Sequence, residues 1–158
     1  MDNFDMCAEL FREGVNSLHT GLYEIQWGAG QIVADKTYFG KGQVEKGVAL
    51  ARLGVCTIEK AVMAGCVPDE EMYYLERGFA DIKTGTAGLE AGIYSIPEFS
   101  TDDSNKWLGS MIEILSGMLK VGNGHNIVMD IWGRVMANSV AKPADPPVCS
   151  QKNLHQNE

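Results

Sequence analysis

Apolar residues recur along this chain in steps of three and four, the period of a helix that buries one face. The first series runs Phe4, Ala8, Phe11, Val15, Leu18, Leu22, Ile25, Ala29, Ile32. A second runs Val44, Val48, Ala51, Val55, Ile58, Val62, and a third Met72, Leu75, Phe79, Ile82, then polar Thr86, then Leu89, Ile93, Ile96. Trp107, Met111, Ile114, Met118 and Val121 begin a fourth, and Ile127, Val128, Ile131, Trp132, Val135 and Met136 form a broad apolar face beyond it. No segment alternates with the period of a strand. The pattern predicts an all-α fold, an antiparallel bundle of four to five long helices with short connections.

Small residues punctuate the stripes at seven-residue spacing. Gly14, Gly21 and Gly28, then Gly40, Gly47 and Gly54, then Gly78, Gly85 and Gly92, and finally Ser110 and Gly117 flank the stripes, and all but Gly40 and Gly85 immediately precede an apolar residue. A glycine inside a helix costs about 1 kcal/mol relative to alanine, so this many need a compensating contact. Close approach of two helix backbones along a strip without side chains supplies one. Gly14, Gly21, Gly47, Gly54, Gly78, Gly85, Gly92, Ser110 and Gly117 are therefore assigned to close-packing seams. Gly28 with Gly30, and Gly40 with Gly42, read instead as helix caps or turns. The points Gly14-Val15, Gly47-Val48, Gly78-Phe79 and Ser110-Met111 lie roughly 32 residues apart, as four similar helices would place them.

Boundaries follow from caps and breakers. The first helix should start near Asn3 or Asp5 and run to about Lys36, with Thr37 to Gly42 as a loop. The second should reach about Cys66. Pro68 followed by Asp69, Glu70 and Glu71 marks the start of the third, which Pro97 ends; Ser100 to Ser104 caps the next. Gly122-Asn123-Gly124 reads as a break before the last helical segment. One domain is expected over 1–141, with 142–158 a flexible polar tail.

Composition excludes more than it suggests. A formal charge of -8 and scattered basic residues argue against a nucleic-acid surface. The most apolar segment, Gly47 to Val67, is interrupted by Arg52, Glu59 and Lys60, which argues against a membrane span. The N-terminal residues lack the basic start and apolar run of a Sec signal, so the default compartment is the cytoplasm, with other export routes open. Cys7, Cys56, Cys66 and Cys149 form no C-x-x-C pair; Cys56 and Cys66 read as small core residues, and Cys149 as exposed in the tail.

Candidate chemistry is sparse. His19, His125 and His155 sit in no recurrent ligand spacing, with His125 expected near the start of the last helix in a capping or surface role. Glu24, Glu59, Glu90 and Glu113 stand on separate helices without the E-x-x-H motif of a di-metal bundle, and read as solvated flanks. The glycine-rich pieces match no phosphate-binding loop, and no nucleophile has a base beside it. No catalysis, metal or cofactor is expected.

Aromatic pairs and surplus apolar residues point to association instead. Tyr38 with Phe39 and Tyr73 with Tyr74 cannot both face one stripe, and with Trp107 and Trp132 they are candidate interface residues. Leu50, Leu53, Met63, Ile112, Leu115 and Leu119 also lie off the stripes. The expected function is non-enzymatic association, either self-assembly as a homo-oligomer or binding of another protein. Two alternatives are a membrane-active or secreted helical protein without a Sec signal, opposed by the acidic charge, and a pocket for an apolar small molecule among Met63, Met72, Met111, Met118, Met129 and Met136.

Overall fold

The computed structural model describes residues 3–96 and 104–140, which form four helices: α1 (Asn3–Val33), α2 (Thr37–Met63), α3 (Asp69–Ser95) and α4 (Ser104–Val140). No strand occurs among the described residues. The expected tail 142–158, with Cys149 and His155, and the Pro97 to Asp103 boundary lie outside the described residues.

Each turn of the first three helices has a local cause. Asp35 takes a left-handed backbone (φ 64°) after α1, and its N–H and that of Lys36 donate to the carbonyls of Ile32 and Gln31. Gly65 (φ 75°) does the same after α2, with its N–H and that of Cys66 donating to Val62 and Ala61. Both close the helix end by satisfying carbonyls that have no partner within the helix. Pro68 caps α3 in an extended conformation, and Asp69, Glu70 and Glu71 occupy its positive first turn.

Two expected boundaries are overturned. Thr37 to Gly42 is not a loop: α2 begins at Thr37, and the turn is confined to 34–36. Gly122-Asn123-Gly124 does not break the last helix, because α4 is continuous over 37 residues. The reason is visible at Gly124, where packing against α3 leaves no room for a side chain. A glycine there answers a neighbour rather than a turn.

Facing glycines order the helices into two antiparallel hairpins. A Cβ on Gly21 would lie 2.7 Å from the Gly47 carbonyl oxygen, one on Gly14 2.9 Å from that of Gly54, and one on Gly28 2.7 Å from that of Gly40. Between α3 and α4 the same relation joins Gly85 with Gly117 (2.6 Å) and Gly92 with Ser110 (3.0 Å); a Cβ on Gly78 would lie 3.3 Å from the Gly124 oxygen. Except at Gly78, where a neighbour need give only a few tenths of an ångström, such distances leave no space for a methyl group. Gly28 and Gly40 therefore sit inside helices and face each other, which corrects their reading as caps. Gly30 and Gly42, with nothing within 4 Å, also lie within α1 and α2.

The core lies between the hairpins. Phe11, Leu18, Ile25 and Ile32 from α1, Val44 and Ile58 from α2, Leu75, Ile82 and Leu89 from α3, and Ile114, Val121 and Ile131 from α4 are fully buried. Thr86, the polar step in the third stripe, is buried too, with its hydroxyl donating to the Lys83 carbonyl. Bidentate Arg52–Glu90 and the Lys83–Glu59 pair bind α2 to α3, and Phe11 stacks on Trp132 between α1 and α4 at 5.2 Å. These acids are partnered rather than merely solvated.

A disulfide joins Cys7 near the start of α1 to Cys66 just past the end of α2. Cys66 is thus not a free core thiol. Cys56, also expected in the core, is exposed. The spacing rules for redox and zinc motifs see only neighbours in sequence, whereas an antiparallel hairpin brings its two ends together from 59 residues apart.

Candidate interaction face

The hairpins are copies of one pattern. Gly14, Gly21 and Gly28 of α1 recur in α3 as Gly78, Gly85 and Gly92, and Gly40, Gly47 and Gly54 of α2 recur in α4 as Ser110, Gly117 and Gly124. The buried positions follow the same registers. Val15, Leu18 and Ile25 match Phe79, Ile82 and Leu89, while Val44, Ala51 and Ile58 match Ile114, Val121 and Val128. The helix pair, not the single helix, is the repeating unit, which refines the spacing of roughly 32 residues into a longer one.

The repeat provides an internal control for what the fold requires. On the outer side of α4, Leu108, Ile112, Leu115 and Leu119 are exposed to 54%, 59%, 43% and 71%. They follow one another at steps of four, three and four, so they form a second stripe on the same helix. The matching residues of α2 are Tyr38, Gly42, Glu45 and Ala49. In one hairpin this outer series is largely small or charged; in the other it is aliphatic throughout. Nothing in the fold calls for four aliphatic residues there.

The stripe is bordered by small or neutral residues. Gly109 and Ser116 run along one edge, and the next steps of the series, Gly122 and Asn126, carry no charge. Asn123 on the same border donates to Asp81 of α3 across 2.7 Å. On the core side lie Met111, buried, and Met118, partly buried. Four half-exposed aliphatic side chains amount to on the order of 400 Å², the size of the largest apolar patch on an ordinary monomer, which is often a functional one.

The aromatic candidates divide. Tyr38, Phe39, Tyr73 and Tyr74 are well exposed, each pair packing edge to face with itself, at 6.0 Å and 5.5 Å between ring centres. Trp107 is exposed near the start of the α4 stripe. Trp132 is not an outward residue: it lies against Phe11 inside the bundle, because the α4 face at that level is the one covered by α1. Tyr94, on α3, is the most exposed aromatic among the described residues and was not singled out by the pattern.

Polar groups meet at two further places. His19 Nδ1 of α1 lies 3.4 Å from His125 Nε2 of α4, and His125 Nδ1 lies 3.4 Å from Asn126 Oδ1. His125 is buried in mid-helix, not at a helix start, and occupies the position that Val55 fills in α2. Burial pushes its pKa below the ordinary histidine range, a hydrogen bond to Asn126 opposes this, and the charge of His19 adds to it. Sequence spacing could not pair residues 106 apart on different helices.

At the other end, Arg134 donates two hydrogen bonds to Glu71 at 2.6 and 2.7 Å, and this fork holds the Glu71 carboxyl below its usual range. A shallow cleft of about 470 Å³ beside them is lined by Glu70, Glu71, Tyr74, Ile127, Asp130 and Arg134. Two of its charged groups, Glu71 and Arg134, already satisfy each other. Among the described residues no three histidine, cysteine, aspartate or glutamate side chains converge to hold a metal ion, and no helix is long and apolar enough to cross a membrane.

No protein family model, curated protein or solved structure matches the chain.

Proposed function

We propose that this chain works without catalysis, as an association module whose working surface is the outer face of α4. The observation that carries this reading is the difference between the two hairpins. Their buried registers agree, yet only α4 presents an uncharged aliphatic series, Leu108, Ile112, Leu115 and Leu119, to the outside. Exposing such a series opposes folding and solubility, so its use lies in being covered.

The glycine seams serve this role by rigidity. Backbones in direct contact along Gly14/Gly54, Gly21/Gly47 and Gly28/Gly40 resist sliding, and the equivalent strip under α4 holds the stripe straight over three turns. The Cys7–Cys66 disulfide favours an oxidising compartment over the cytoplasmic default. The apolar-pocket alternative loses support, since Met63 and Met129 lie exposed while Met111 is packed in the core.

Site-specific photo-crosslinking in the cell that makes the protein tests the reading. A crosslinking residue in place of Leu115 should yield covalent adducts with protein, and one at exposed Thr84 on α3 should not. Absence of adducts at Leu115 would end the proposal.

A further inference from the structure

We infer that the two edges along which the hairpins meet respond differently to acid: the α1–α4 edge is a clasp held by the His19–His125 pair and loosened in mild acid, while the α2–α3 edge stays closed.

The repeat shows the difference position by position. On the α2–α3 edge, Lys83 pairs with Glu59 and Arg52 forks onto Glu90. The matching positions of the α1–α4 edge hold His19 with Met129, and Gly122 with Gln26, so neither ion pair recurs. Val55, buried in α2, becomes His125, buried in α4. The connection 64–68 also ties α2 directly to α3, and nothing of the kind ties α1 to α4. Among the described residues no ion pair joins α1 to α4; Phe11 stacks on Trp132 and His19 meets His125 instead.

The pair tolerates one added proton and not two. With His125 Nδ1–H donating to Asn126 Oδ1, its Nε2 is left as an acceptor for the Nδ1–H of His19. A proton on the other nitrogen of His19 leaves that contact in place. A second proton puts an N–H on both facing nitrogens, with two like charges across a 3.4 Å contact and one of the rings buried. No opposite charge compensates. Among the described residues the one charge that acts on His125 is that of His19. Residues 15–23 of α1 and 121–129 of α4 contain no charged side chain besides the two histidines, and the Tyr23 phenol is their one further titratable group. The α3 acid in register, Asp81, already accepts from Asn123, and α2 stands across the bundle, beside α1 and α3. Relief comes from parting the rings and admitting water.

Each hairpin stays whole meanwhile. The glycine seams contain no titratable group, the Cys7–Cys66 disulfide holds α1 to α2, and the Glu71 carboxyl of the α3–α4 fork lies below its usual range. Carboxylates in general stay charged to about pH 4–5, below the histidine range. Mild acid therefore reaches the clasp and spares the ion pairs of the other edge.

Trp132 reports on the clasp, since it stacks on Phe11 two turns from His125 along the same edge. In the full chain carrying Trp27→Phe and Trp107→Phe, lowering the pH from about 7.5 to about 5 should raise acrylamide quenching of Trp132 and shift its emission to the red, with helix content by circular dichroism unchanged. His125→Val should flatten this response. His19→Gln, a change at an exposed position, should weaken it without touching the core. Val62 is the counterpart of Trp132 on the α2–α3 side, so a tryptophan there, in Val62→Trp with Trp132→Phe, should show no such change. A Trp132 signal that stays flat in the parent would overturn the inference. So would an equal response from position 62, or a Trp132 response that survives both histidine variants.

Discussion

The carbonyl oxygen of Gly47 lies 2.7 Å from the point where a side chain on Gly21 would begin, and the oxygen of Gly21 lies 2.6 Å from the equivalent point on Gly47. Each glycine is thus closed against the other's backbone, which cannot yield as a side-chain tip could. Gly21→Ala and Gly47→Ala should each gain about 1 kcal/mol of helix propensity and lose more through overpacking, for a net loss of about 1–3 kcal/mol. Larger side chains, as in Gly47→Leu or Gly54→Leu, should cost more still. Gly42→Ala supplies the opposite sign, because nothing lies within 4 Å of that position in the middle of a helix turn. It should stabilise by about 0.5–1 kcal/mol. Urea unfolding of the variants distinguishes a seam from a tolerance for glycine.

Asp35 holds a left-handed conformation that glycine adopts at no steric cost. Its counterpart at the next turn is already a glycine, Gly65. Asp35→Gly should raise the thermal midpoint, by the equivalent of about 1 kcal/mol, with the hydrogen bonds from residues 35 and 36 retained.

The Cys7–Cys66 bond closes most of the first hairpin, and its loop of 59 residues is long enough for chain entropy to matter. Loop closure on this scale stabilises by about 4 kcal/mol in the entropic account, within the range of 2–4 kcal/mol usual for disulfides. Reduction, or Cys7→Ser, should lower the urea midpoint accordingly. Two-state folding of the hairpins as one unit predicts that α3 and α4 unfold at the same lowered midpoint.

Histidine 125 is neutral in the folded bundle further into acid than in the unfolded chain, because burial opposes its charge. Between its lowered folded pKa and the unfolded value near 6.5 the unfolded state binds more protons, so stability rises with pH in that window. The contribution is complete above the unfolded pKa and is lost as pH falls. Thermal midpoints measured from pH 7.5 down to pH 5 should fall for the parent protein and fall less for His125→Val, which restores the residue type found at the matching position of α2.

The stripes of apolar residues contained the helices and much of the core, since helical period and burial have one cause. Leu18, Ile58, Ile82 and Ile114 are fully buried where their series place them. Glycine was harder to read, because the same residue serves as cap, break or contact. Gly28, Gly40 and Gly124 resemble helix ends in sequence, with a second glycine two residues away, and only the neighbouring helix shows what they touch. The Cys7–Cys66 and His19–His125 pairs were illegible for a related reason: they depend on which helices adjoin and in what register. The α4 stripe was half legible. Ile112, Leu115 and Leu119 stood out as surplus apolar residues, but Leu108 joins them, and their common face becomes meaningful, only beside the matching residues of α2.

The central claim is that Leu108, Ile112, Leu115 and Leu119 serve association and not the fold. The most direct test is to measure photo-adduct yield from a crosslinking residue at position 108 and stability by dilute thermal unfolding on one pair of proteins, the parent and Ile112→Ser/Leu115→Ser. An association face predicts that the variant loses the adducts while its stability stays within about 0.5 kcal/mol of the parent, as for ordinary surface positions. A variant that unfolds several degrees lower with its adducts undiminished would show that the stripe supports the bundle itself, and would contradict the account.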